Sequence, residues 1–136
     1  MHLTTDQIET IKEFLIGKVN PYLIIIFGSA AQGRMRSDSD IDVAYLSHQN
    51  VSTYDLFMIA QEMAGIVGRD IHLIDLKQAS TVLQAQIITR GVITLDLEPS
   101  NRQEFFILVL KQYARLNEER APILAKVKER GSIFAR

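Results

Sequence analysis

The chain has no cysteine and no tryptophan among its 136 residues. Without thiols it can form neither a disulfide nor a cysteine-based zinc site, so packing alone must hold its core. Proline occurs three times, at Pro21, Pro99 and Pro122, and no stretch reads as a proline-rich linker, a repeat or a low-complexity tract. An excess of either charge is also missing: 15 basic against 16 acidic residues leave a net charge of -1. Nucleic acid would therefore find no global attraction, only whatever a local patch offers. No apolar run approaches the roughly 18–20 residues that span a bilayer. The start, MHLTTDQIETIKEF, carries acids early and lacks the apolar core of a secretory signal, so a cytoplasmic location is expected. What is present is ordinary globular composition, 47% hydrophobic and 23% charged. Residues 1–136 read as a single domain, with a core over about 20–97 and a helical region over about 100–130.

Hydrophobic periodicity alternates between the two regular structures. Thr5 can cap a helix over 6–18, with Ile8, Ile11, Phe14 and Leu15 as its apolar stripe. Asn20-Pro21 stops it and opens an unbroken apolar strand, Tyr22 to Phe27, suited to burial on both faces. A short helical stretch after Gly28-Ser29 and a polar turn at Ser37–Ser39 lead to a strand from Asp40 to Leu46. A helix over 53–67 follows, with Leu56, Phe57, Ala60, Met63, Ala64 and Val67 on one side and Gly68 ending it. Then come a strand from Ile71 to Leu76, a helix over 80–90 and a short strand from Val92 to Leu97. A last helix runs from near Ser100 to about Glu129, bent or interrupted at Pro122. This order predicts an α/β fold: a small mixed sheet flanked by helices, with a long C-terminal helix.

The most informative segment is FGSAAQGRMRSDSDIDVAYL, directly after the first strand. Gly28 lets the backbone approach phosphates closely, and Ser29 adds a hydroxyl donor. After ten intervening residues, Asp40 and Asp42 stand at i and i+2 of a strand, so they share a face with Cα atoms roughly 6.5–7 Å apart. Such carboxylates suit Mg²⁺, which prefers one or two of them plus substrate phosphates. Gly28-Ser29 alone would be a turn, and Asp38 with Asp40 surface acids around a hairpin. Their joint spacing behind a buried strand argues for nucleotidyl transfer.

The pattern Gly28, Ser29, Asp40, Asp42, with Ser39, Ile41 and Val43 around it, resembles the nucleotidyltransferase superfamily typified by DNA polymerase beta. At this size it resembles the minimal nucleotidyltransferase group, over about residues 20–97. That resemblance implies a polymerase beta-like fold, Mg²⁺ on Asp40 and Asp42, and ATP as co-substrate held by Gly28 and Ser29. Arg34 and Arg36, in the connecting loop, could pair with its phosphate oxygens. Members of this group are often antitoxins that transfer AMP to a tyrosine hydroxyl of a HEPN-domain ribonuclease toxin. A cognate HEPN toxin is the partner so implied, with no membrane and no direct nucleic acid. Two further readings stand beside it: an antitoxin acting by binding alone over a vestigial nucleotide site, and a small-molecule nucleotidyltransferase of the aminoglycoside type.

This chain departs from the group at the third catalytic carboxylate. The strand that usually carries it reads Arg69-Asp70-Ile71-His72-Leu73-Ile74-Asp75, and His72 holds the matching position. His72 could itself accept the acceptor's proton. Asp70, two residues earlier on the same face, could take over after a small shift of register. Otherwise the site binds nucleotide and turns over slowly. His72 could equally be an ordinary strand residue facing solvent. Gln32 is a second departure, standing where arginine is common in the group. Asp75 faces the other way and suits capping, His2 and His48 carry no function, and Tyr22, Tyr45, Tyr54, Met58 and Met63 suit packing. In the last helix Phe105, Phe106, Leu108, Val109, Tyr113 and Leu116 form a stripe for the sheet. Residues from about Pro122 onward have little surface of their own chain to cover, so they are expected to contact another chain.

Overall fold

The structure, a computed structural model, describes residues 3–31 and 40–134, and of residues 122–134 only the helical backbone. The expected α/β order is present. Helix α1 (Thr5–Val19) leads into strand β1 (Pro21–Phe27), then β2 (Ile41–Ser47), helix α2 (Thr53–Val67) and β3 (Ile71–Asp75). A 3₁₀ turn (Leu76–Gln78), helix α3 (Thr81–Arg90), strand β4 (Val92–Asp96) and helix α4 (Pro99–Phe134) complete it. The sheet is mixed, in the order β3-β2-β1-β4. β1 is antiparallel to β2 and β4, whereas β2 and β3 run parallel, joined through α2.

Helix boundaries follow their caps. Thr4, rather than the expected Thr5, caps α1: its hydroxyl accepts the Gln7 N–H at 3.1 Å, while the Gln7 side chain accepts the Thr4 N–H at 3.0 Å. The reciprocal bonds outcompete a cap one residue later. Ser52 and Ser80 cap α2 and α3 by a single bond each, their hydroxyls accepting the Asp55 and Leu83 N–H, and Gly68 closes α2 at φ 82°. β3 stops one residue short of Leu76 because the Asp75 side chain accepts the Lys77 N–H at 3.1 Å and starts the 3₁₀ turn. Asp75 thus caps, as its alternation with His72 suggested. α4 runs unbroken through Pro122 to Phe134, past the expected end near Glu129. Its side chains from 122 onward, where a contact to another chain was expected, lie outside the described residues. No helix among the described residues is long and apolar enough to cross a membrane.

Alternation along the central strands makes two cores. Ile24, Ile26, Ile41, Val43, Tyr45 and Leu73 face α1 and α2, meeting Ile11, Leu15 and Met63. Leu23, Ile25, Ala44 and Leu46 face the other way, toward Ile87 of α3 and Phe105 and Phe106 of α4. β1 is buried on both faces, as its unbroken apolar run requires. Tyr22 and Tyr45 pack as expected, but Tyr54 is 70% exposed and Phe57 59%. Both point away from the α1–α2 core, together with the half-exposed Met58. Leu108 likewise faces outward; the inward side of α4 is Arg102, Phe105, Phe106 and Val109.

Gly91 fixes how closely α3 returns to the sheet. A Cβ there would meet Cγ2 of Ile25 and the carbonyl oxygen of Ile87, neither of which can move cheaply. We expect Gly91→Ala to cost about 1–3 kcal/mol, the usual penalty of overpacking. Thermal melting checks this, and an unchanged midpoint would contradict the close approach.

Candidate active site

The strand registers bring three chain segments to one point. Phe27, the last residue of β1, lies opposite Asp42, and Asp42 lies abreast of His72 on the parallel β3. Asp42 shares its face with Ala44 and Leu46, so the site opens on the α3 side of the sheet. The chain turns away directly after Phe27, and the Asp42 carboxylate lies at the sheet's end.

Gly28 borders that carboxylate. Its φ is 71°, a left-handed conformation suited to glycine, and a Cβ built on it would clash with Asp42 Oδ2. The other carboxylate oxygen, Oδ1, lies 3.2 Å from Nδ1 of His72. A carboxylate accepts, so Nδ1–H donates, and Nε2 is left with its lone pair on a side chain that is 61% exposed. Asp42 is 24% exposed at its side chain. Burial raises its pKa above the usual carboxylate value; the His72 hydrogen bond opposes this, and the negative charge of Asp40 adds to it.

Asp40 stands just before β2, which begins at Ile41 and not at Asp40 itself, and it is exposed. Ser29 is half-buried in the turn that follows β1. Asp70 reaches β2 through its backbone, whose carbonyl accepts the Ile41 N–H at 2.9 Å, while the residue is exposed. Of the two candidates for the missing carboxylate position, His72 is thus the one bonded to Asp42. Arg34, Arg36 and Gln32 lie outside the described residues, as does the stretch in which a short helix and a polar turn were expected; Gly28 to Ala31 form a turn.

Among the described residues no group of three or more histidine, cysteine or acidic side chains could hold a metal. Asp40 and Asp42 are two oxygen donors on one strand end, and His72 is a poor substitute for a third on a hard cation. A donor set this small fits Mg²⁺ only where substrate phosphates complete its shell. The chemistry of the residues present is therefore compatible with a metal that arrives with a polyphosphate.

Two residues that sequence reasoning missed stand nearby. A cavity of about 270 Å³ beside Gly28 is lined by Phe27, Leu83, Gln86, Ile87 and Arg90. Leu83, Gln86, Ile87 and Arg90 form one face of α3, and Gly91 presses the end of that helix onto β1. The signal was available as the polar pair Gln86 and Arg90 interleaved at helical spacing with Leu83 and Ile87, ahead of a glycine.

Comparison with known proteins agrees with this fold. The family model described as polymerase beta, nucleotidyltransferase, matches residues 9–99. The protein adenylyltransferase MntA of Shewanella oneidensis is 33% identical over 105 residues, which make up 77% of this chain and 75% of that relative. A chain from the crystal structure of a toxin–antitoxin with AMP-PNP is 30% identical with a TM-score of 0.82, covering 89% of this chain and 98% of that one. A chain from the structure of tri-AMPylated Shewanella oneidensis HEPN toxin in complex with MNT antitoxin is 27% identical, with a TM-score of 0.78 and coverage of 93% and 99%. With the glycine turn, the paired aspartates and the mixed sheet beneath them, the chain belongs to the polymerase beta nucleotidyltransferase family.

Proposed function

We propose that this protein is an antitoxin that transfers AMP from ATP to a tyrosine hydroxyl of a cognate HEPN-domain toxin. The observation that carries this reading is the Asp42 carboxylate, set between the bare Cα of Gly28 and the ring of His72. Likeness to the protein adenylyltransferase MntA supports the reaction class, and likeness to a toxin–antitoxin with AMP-PNP supports ATP as donor.

The residues divide the work by position. Gly28 and Ser29 hold the β- and γ-phosphates through backbone and hydroxyl donors, and Arg34 and Arg36 are the guanidinium groups that would pair with phosphate oxygens. Asp40 and Asp42 would hold Mg²⁺, which would supply charge neutralisation to the phosphates. The acceptor oxygen attacks the α-phosphorus, the bond from that phosphorus to the bridging oxygen breaks, and pyrophosphate leaves with the bond's electrons. The acceptor's proton passes to Nε2 of His72, whose ring is oriented by the Nδ1–H bond to Asp42. Asp70, at the mouth of the same strand, is the other group that could take it. The adduct blocks the ribonuclease site by bulk and by repulsion of RNA phosphate.

A proton acceptor in the transition state contributes about 10²–10⁴-fold. His72→Ala should therefore lower the transfer rate by at least about 10²-fold while ATP affinity stays unchanged. Undiminished transfer would return the role to Asp70. The whole reading is tested by incubating the protein with ATP, Mg²⁺ and the HEPN-domain protein of the same genome, then weighing the latter intact. Added AMP units support transfer; neutralisation without a mass change supports action by binding alone; a labelled aminoglycoside supports small-molecule transfer.

A further inference from the structure

Beside the site, on the far side of His72, lies an apolar groove that the transfer chemistry described above leaves unused. It has a volume of about 250 Å³ and is lined by Leu56, Phe57, Ala60 and Gln61 of α2 and by Ile71 and His72 of β3. His72 is the residue common to the groove and the site. Among the described residues β3 is an edge strand, paired with β2 on one side alone. Phe57 is 59% exposed over the groove, and Tyr54, one turn earlier on α2, is 70% exposed. Two large aromatic side chains held open to water are a costly surface unless something covers them.

The geometry of displacement decides what covers it. Pyrophosphate leaves toward Gly28 and Ser29, on the β1 side of Asp42. Attacking and leaving oxygens stand roughly in line across the phosphorus. The acceptor oxygen must then arrive from the opposite side, which is the β3 side, where His72 stands. Beyond His72 the sheet ends, so the polypeptide that carries the hydroxyl has to cross the open edge of β3. The α3 cavity cannot serve, because it adjoins Gly28 on the leaving-group side.

We propose that the acceptor protein docks in the α2–β3 groove through an extended segment laid along the free edge of β3. This inference rests on the adenylyl-transfer reading. Side chains of an extended segment alternate between faces. The hydroxyl residue therefore falls on the Asp42 face beside His72, and its immediate neighbours fall on the α2 face, into the groove. Those neighbours are apolar, to match Leu56, Phe57 and Ile71, and the free backbone groups of β3 bond to the segment as a further strand. Such a surface selects its substrate by what flanks the hydroxyl.

The test uses the full chain with the HEPN-domain protein as acceptor. Phe57→Asp should raise KM for the acceptor about tenfold or more and leave ATP affinity unchanged, with Phe57→Leu restoring most of the loss; tenfold corresponds to about 1.4 kcal/mol. A photoreactive phenylalanine analogue at position 57 should crosslink to acceptor residues adjacent to the modified tyrosine, read by mass spectrometry. Unchanged KM, or crosslinks to a second copy of this chain or to a distant part of the acceptor, overturns the docking. Equal loss of ATP affinity overturns it too, since Phe57 would then act through the fold. These failures leave wild-type transfer intact, whereas failure of the transfer reading removes AMP addition by the wild type itself.

Discussion

Asp42→Asn should abolish AMP transfer, by about 10³-fold or more, without lowering the melting temperature. The first half follows from charge: an asparagine carbonyl is a neutral, weak ligand for a hard cation, and its amide turns donors toward phosphate oxygens. Losing one group that stabilises charge in such a transition state costs roughly 10²–10³-fold, and here the metal's seat goes with it. The second half follows from burial. Asp42 has its pKa raised chiefly because its charged form is partly stripped of water, so at neutral pH the ionised carboxylate is a burden on the fold. Asparagine removes that burden and still offers Oδ1 to the His72 Nδ1–H. The folded state holds its proton more tightly than the unfolded one, so wild-type stability relative to the variant is best below the unfolded value. It falls as pH rises through the raised folded value. Melting without nucleotide or magnesium, at pH 4 and pH 8, reads this directly. A variant that melts lower than wild type at pH 8 would show that Asp42 holds the fold together, and would sink the division between scaffold and site.

How much of this was written in the chain varies with the physical range of each signal. The meeting of Gly28 with Asp42 was legible because it depends on spacing along one strand–turn–strand unit. The fold class was legible because period-two and helical patterns alternate cleanly, and β1 announces burial on both faces. Caps were off by one where two threonines compete, since only the Gln7 side chain decides between Thr4 and Thr5. Phe57, Tyr54 and Leu108 were misplaced because apolarity reports burial in any partner, not burial in this chain. Their exposure is visible only once α2 and α4 have been set against the sheet. Arg90 and Gln86 escaped because nothing local links α3 to Gly28; the link is the tight return at Gly91. The choice between His72 and Asp70 was open for a similar reason, and the parallel register settles which residue lies abreast of Asp42.

Gly28→Ala should nearly silence the protein, by about 10²–10³-fold in transfer, through one methyl group. Two separate costs coincide there. The left-handed backbone, φ 71°, charges any L-residue roughly 1–2 kcal/mol. The new Cβ also clashes with Asp42 Oδ2, so the carboxylate must rotate off its position and surrender the His72 contact. The two costs separate in a double-mutant cycle. With Asp42→Ala already present, the methyl has room, and Gly28→Ala should destabilise only by its backbone share. The coupling between the two sites, read by urea denaturation, should therefore amount to about 0.5–3 kcal/mol, the range for residues in contact. Additive effects would mean that Asp42 does not occupy the hollow above Gly28. A glycine that merely made a turn would leave transfer within reach of wild type once the fold was secured. One that is bare so that a carboxylate can lie against it loses the reaction even in a protein that still folds.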